Sequence, residues 1–184
     1  MARTESFNKE ELLKKGVKFI KEKGIENLNA RDLAKYIGCS TQPIFRNYEN
    51  MQEYKNELKK SMRDDYSNFI NKYVDKDNYL FTISYSYVLY AKTEPNIFRA
   101  LFITELAGSR TIEEVLNTDR NKETINSMIE KYNLQLKQAE DLYRDVRFYT
   151  HGIACQICSQ SIIIEDKEIY ELIKNMIDKL LWKI

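Results

Sequence analysis

Gln42 and Arg46 lie one helical turn apart in the stretch Ser40-Thr41-Gln42-Pro43-Ile44-Phe45-Arg46-Asn47-Tyr48. A primary amide can match both hydrogen-bonding positions of an adenine edge, and a guanidinium can hold a phosphate. Thr41 and Ser40 add small hydroxyls, and Arg31 is a second cation close upstream. A second constellation lies further along. Tyr87, Tyr90, Phe98, Phe102 and Tyr143 offer aromatic faces, and Glu105, Arg147 and His151 fall at helical spacing among apolar residues. Such a set is either core packing or the wall of a cavity for an apolar or cationic ligand. A third set, His151, Cys155 and Cys158, has the i, i+4, i+7 spacing that can present three zinc ligands on one helix face. The competing reading is plain packing, since cysteine packs as a small hydrophobe, and no fourth ligand is apparent.

The elements that position the first set can be read from caps. Asn29 is an N-cap, with Asp32 placed to reach back to the cap amide, and Leu28 and Leu33 form a hydrophobic staple. Leu33, Ala34 and Ile37 face one side of the helix that follows, and Gly38 stops it in the left-handed conformation. The pattern restarts at once. Ser40 is the next N-cap, Cys39 and Ile44 its staple, Pro43 sits in the first turn, and Ile44, Phe45 and Tyr48 supply the apolar side. Two short helices about one tight turn, the second opening on uncharged polar side chains, suit major-groove reading. An ordinary helical hairpin within a core is the alternative, and two cap-and-staple sets around one glycine weigh against it.

Before this pair, residues 9–23 form an amphipathic helix with Leu12, Leu13, Val17, Phe19 and Ile20 inward, ended by Gly24. The stretch LLKKGVKFIKEKGIENLNARDLAKYIGCSTQPIFRNYEN resembles the N-terminal DNA-binding domain of the TetR/AcrR family of bacterial repressors, without a gap from Leu12 to about Tyr54. Gly24, Leu33-Ala34, Gly38, Ser40, Ile44-Phe45 and Tyr48 carry the likeness. The resemblance implies a homodimer joined through its last two helices and a double-stranded DNA operator, and the aromatic residues of the C-terminal part point to a small apolar or aromatic effector bound there. It assigns DNA contact to Arg31, Ser40, Thr41, Gln42, Pro43, Arg46, Asn47 and Tyr48. Two positions depart from the family. Phe45 lacks the hydroxyl that commonly touches phosphate, and Met51 stands where a lysine is frequent. Affinity is therefore expected to lean on Arg31, Arg46, Asn47 and Tyr48.

Asn50 caps a helix over 51–74, with Tyr54, Leu58, Met62, Tyr66, Phe69 and Tyr73 as its stripe, ended by Asp75-Lys76-Asp77-Asn78. Residues 79–92 are apolar on nearly every side and read as the central helix of a bundle. A helix from Pro95 to Gly108 follows, then a polar one over 111–132 interrupted near 118–121. A long helix covers 134–164 and a last one 167–183. Leu172, Met176 and Leu180 are expected between subunits or between the last two helices. If Glu105 lies on the apolar stripe of Phe98, Leu101 and Phe102, it needs a partner such as Arg147 or His151, or a ligand.

The chain is 184 residues with two prolines and five glycines, which leaves little material for hairpins. An all-α fold is expected, with a helix-turn-helix head at 1–50 and an effector and dimerisation bundle at 51–184. Net charge is +1, yet residues 1–50 carry ten Lys and Arg against seven Asp and Glu. No run approaches the roughly 18 apolar residues of a membrane span, and the start lacks the apolar core of a signal peptide. A cytoplasmic protein with three thiols is expected, without membrane, metal or cofactor. One histidine, no recognisable catalytic arrangement and no glycine-rich phosphate loop argue against an enzyme. The remaining alternative is a helical adaptor or structural dimer that binds no DNA.

Overall fold

The computed structural model describes residues 7–183, so MARTES, part of the opening stretch read for a signal segment, and Ile184 lie outside the described residues. Among the described residues there are ten α-helices, three 3-10 turns and no strand. The chain packs as two compact units, one formed by Met1–Ser67 with Glu94–Gly108 and the other by Asn68–Thr93 with Ser109–Ile184.

The first unit begins with α1 (Lys9–Lys23), α2 (Ala30–Ile37) and α3 (Gln42–Asn47). Asn8 and Glu11 close a capping box on α1, whose buried face holds Leu12, Val17, Phe19 and Ile20. At α2, Asn29 Oδ1 accepts from the Arg31 and Asp32 amides at 3.1 and 3.0 Å. Asp32 takes its hydrogen bond from the Asn29 side-chain amide, at 2.6 Å, rather than from the cap backbone. Gly38 stands at φ 85°, ψ 30°, and the Gly38 and Cys39 amides both return to the Ala34 carbonyl.

The first part of α4 (Met51–Asn71) closes this core with Tyr54, Leu58 and Met62. Asn50 caps it, accepting from the Gln52 and Glu53 amides at 2.9 Å each. Tyr54 reaches across to donate to the Leu12 carbonyl at 2.7 Å. Only a glycine at position 16 leaves room, because a Cβ there would overlap the Tyr54 hydroxyl and stand 2.8 Å from Leu58 Cδ2. The unit also holds α6 (Pro95–Phe102), tied to the end of α1 by Asn96 donating to the Lys21 carbonyl at 2.8 Å and by a Lys21–Glu94 ion pair at 2.7 Å.

The second unit is built on α5 (Tyr79–Thr93), of whose 15 residues ten are buried, as its unbroken apolar character requires. Around it pack α8 (Asp119–Tyr132), α9 (Leu136–Cys158) and α10 (Asp166–Leu181), with the short α7 (Ile112–Leu116) before them. α7 and α8 are separated at Asn117 and Thr118, the interruption expected in the polar stretch.

Three helices end earlier than their apolar patterns suggest. α4 stops at Asn71. α6 stops at Phe102, where the Ile103 and Thr104 amides both return to the Arg99 carbonyl and the Thr104 hydroxyl takes the Ala100 carbonyl at 3.2 Å. α9 stops at Cys158, before a polar Ser159-Gln160-Ser161 corner with Gln160 at φ 57° and both serine hydroxyls donating to the Gln156 carbonyl. The segment beyond it carries Ile163, which is 94% exposed.

Candidate nucleic-acid interface

α3 is six residues long and sorts its side chains by direction. Pro43 and Ile44 are buried, Ile44 completely. Gln42, Phe45 and Arg46 are exposed, with Thr41 half-exposed at the N-cap. Thr41, not Ser40, is that cap, and it makes no side-chain cap bond. Ser40 instead accepts a long 3.4 Å bond from the Gln42 amide, so it supports the first turn from one residue further out. Arg31 on α2 is exposed as well.

Three of the residues expected to touch DNA are placed otherwise. Pro43 is buried. Tyr48 is 2% exposed, with its ring 4.8 Å from that of Tyr54, its hydroxyl 3.4 Å from the Lys9 carbonyl and the Lys9 ammonium 5.1 Å above it. The ring thus supports the head from inside. Asn47 is half-buried, and its amide donates to the Phe7 and Pro43 carbonyls at 3.0 and 2.8 Å, so it acts as a brace for α3.

The residues proposed to line an effector site fall into separate groups. In the second unit, Tyr87 Oη shares a 2.8 Å hydrogen bond with His151 Nδ1, and His151 Nε2 lies 3.4 Å from Cys155 Sγ. Burial, and then the Arg147 charge, hold His151 below its ordinary pKa, so it is neutral at pH 7. Burial pushes the Tyr143 hydroxyl up, with Arg147 on the same helix partly opposing it. Tyr90 stacks edge-on to Phe69 at 5.1 Å. In the first unit, Phe98 and Phe102 pair at 4.9 Å, and Tyr66 joins Phe102 at 5.1 Å.

Glu105 does not lie on their stripe. Because α6 has already ended, it belongs to a 3-10 turn, Glu105–Ala107, and is exposed. Its carboxylate is solvated rather than held among apolar groups. Cys39, Cys155 and Cys158 are thiols. Burial raises the Cys155 pKa, which opposes an activated thiolate. Among the described residues no group of three His, Cys, Asp or Glu is placed to hold a metal ion.

No family model matches the sequence, and no curated protein matches it. Solved structures do. A TetR variant from Acinetobacter baumannii AYE, crystallised in complex with minocycline, is 17% identical, with a TM-score of 0.61 over 96% of each chain. A transcriptional regulator from Rhodococcus sp. Rha1 is 14% identical, with a TM-score of 0.66 over 96% of this chain and 97% of that one. The chain has a TetR-like fold.

Within this TetR-like fold the sequence pattern missed two features. Phe45, counted among the inward residues, is 49% exposed beside Gln42 and Arg46. Ile44 and Tyr48 fill the inward positions. An open cleft of about 340 Å³ also lies beside Phe81, Thr82, Tyr132 and Tyr170 in the second unit. Its acids are already engaged, Asp178 by Lys174 at 3.2 Å and Asp75 as the cap of the turn Lys76–Asn78.

Proposed function

We propose that the chain is a ligand-responsive DNA-binding transcriptional regulator, a repressor that binds a palindromic operator as a homodimer and is released by a small-molecule effector. The observation that carries this reading is the exposed face of α3, where Thr41, Gln42, Phe45 and Arg46 stand outward over a closed core in a TetR-like fold. Residues 1–50 are the reading head and residues 51–184 the dimer and effector body. The work is binding, not catalysis, and takes place in the cytoplasm. Among the described residues no helix is long and apolar enough to cross a membrane.

Dimerisation through α9 and α10 is supported by apolar surface that one chain leaves uncovered. Leu172 is 38% and Trp182 92% exposed, and Met176 and Leu180 are half-exposed. The effector is small and apolar or aromatic. To release DNA, that ligand must prefer the DNA-incompetent form. A swing from mostly bound to mostly free takes a preference of about 5.5 kcal/mol.

Footprinting on a duplex selected from a random pool tests the reading. Two heads related by a two-fold axis protect a dyad with half-sites about 34–36 Å apart, or a multiple of that. Gln42→Ala should relax base preference, whereas Arg46→Ala should weaken all sequences alike and lower the salt slope by about one. Protection with no dyad preference would sink the operator model. Retention on DNA or heparin that ignored salt would favour the adaptor instead.

A further inference from the structure

From the placement of Phe45 on α3 we infer that it is a specificity-determining residue that selects thymine in each half-site by covering the 5-methyl group in the major groove. The inference rests on the DNA-binding reading and adds to it the base that one side chain recognises.

At about 100° per residue, Thr41, Phe45, Gln42 and Arg46 occupy one continuous arc of about 140° on α3. Ile44, with no exposed surface, and buried Pro43 take the opposite side. Phe45 is 49% exposed within that arc. Its outward position is fixed by register, since turning α3 to bury the ring would carry Ile44 into water. The N-cap carbonyl of Thr41 and the Asn47 braces hold that register, the latter through the Phe7 and Pro43 carbonyls.

The neighbours of the ring define what it can read. Gln42, one turn earlier, has the amide that pairs with adenine N7 and N6. Arg46, next to Phe45, supplies charge for phosphate. A phenyl ring has no donor or acceptor for either, so the polar edges of bases are closed to it. The one base feature in the major groove that it matches is the thymine methyl, which cytosine and purines lack. Phe45 and Gln42 together therefore favour A·T pairs under the N-terminal half of α3. A ring left half in water in the free protein gains by covering a methyl, and nothing in the free chain must be broken to do so.

The test uses the full-length protein and the duplex it selects from a random pool. Each thymine is replaced singly by deoxyuridine, which pairs identically and lacks only the methyl. At one position in each half-site the replacement should weaken binding about fourfold, the worth of one buried methyl. Phe45→Ala should bind the thymine duplex more weakly, be indifferent to deoxyuridine at that position and keep its thermal midpoint. Phe45→Leu should retain part of the discrimination. The inference is overturned if the protein binds its dyad but no single deoxyuridine matters, or if the penalty survives in Phe45→Ala. A protein that retains no duplex would overturn the DNA-binding reading and this inference with it.

Discussion

Two helices place polar and aromatic side chains in opposite ways. On α3, Gln42, Phe45 and Arg46 face outward while the core beneath them is closed by Ile44, Tyr48 and Tyr54. On α9, Tyr143 is buried and half-buried His151 is already bonded to Tyr87 and Cys155. An outward set carries its chemistry without supporting the fold, whereas an inward set must first satisfy its own polar atoms. Changes on the first surface should therefore alter recognition alone. Changes beneath it, or on the inward set, should alter stability.

The largest effect is expected directly beneath the outward set. Ile44→Ala removes a completely buried side chain and should lower the unfolding free energy by about 2–5 kcal/mol in urea titrations. DNA affinity should fall with it. If affinity fell while stability held, Ile44 would belong to the reading surface and the contrast would break.

A smaller loss is expected from Gly16→Ala. Alanine favours a helix interior by up to about 1 kcal/mol. Against that, its methyl displaces the Tyr54 hydroxyl from the Leu12 carbonyl and crowds Leu58, and overpacking of this kind costs about 1–3 kcal/mol. The net change should be destabilising in thermal melts. A midpoint that rose would show that Tyr54 can move aside freely.

The smallest effect sharpens the inward side of the comparison. His151 has a folded pKa below that of an unfolded histidine, about 6.5, so the unfolded chain binds more protons once pH drops below that value. The stability linked to neutral His151 is thus present above about pH 6.5 and is lost as pH falls through the folded pKa. Between pH 7.5 and 5.5 the thermal midpoint of the wild-type chain should fall more than that of His151→Gln. Equal slopes would mean that His151 titrates as if in water.

How much of this was legible in the sequence follows the range of the forces involved. The α2–α3 turn was legible because Asn29, Gly38 and Pro43 act within a few residues of themselves. Whether Phe45 or Tyr48 turns inward is decided by Tyr54 and the Lys9 carbonyl, which lie on other helices. The choice between the two readings of Glu105 turned on a local feature that the apolar pattern hides. Its stripe continues past Phe102, but Thr104 takes the Ala100 carbonyl and the helix ends. The Tyr87–His151 bond joins residues on α5 and α9, and no spacing within either helix announces it.

The Tyr54 hydroxyl, enclosed by Gly16 and bonded to the Leu12 carbonyl, gives the head an indicator of its own. Its proton can exchange with water only when α1 and α4 come apart. In a proton spectrum it should appear as a slowly exchanging resonance whose lifetime measures the opening of the head. Any duplex that binds only the closed head should lengthen that lifetime in proportion to one plus its concentration over its Kd.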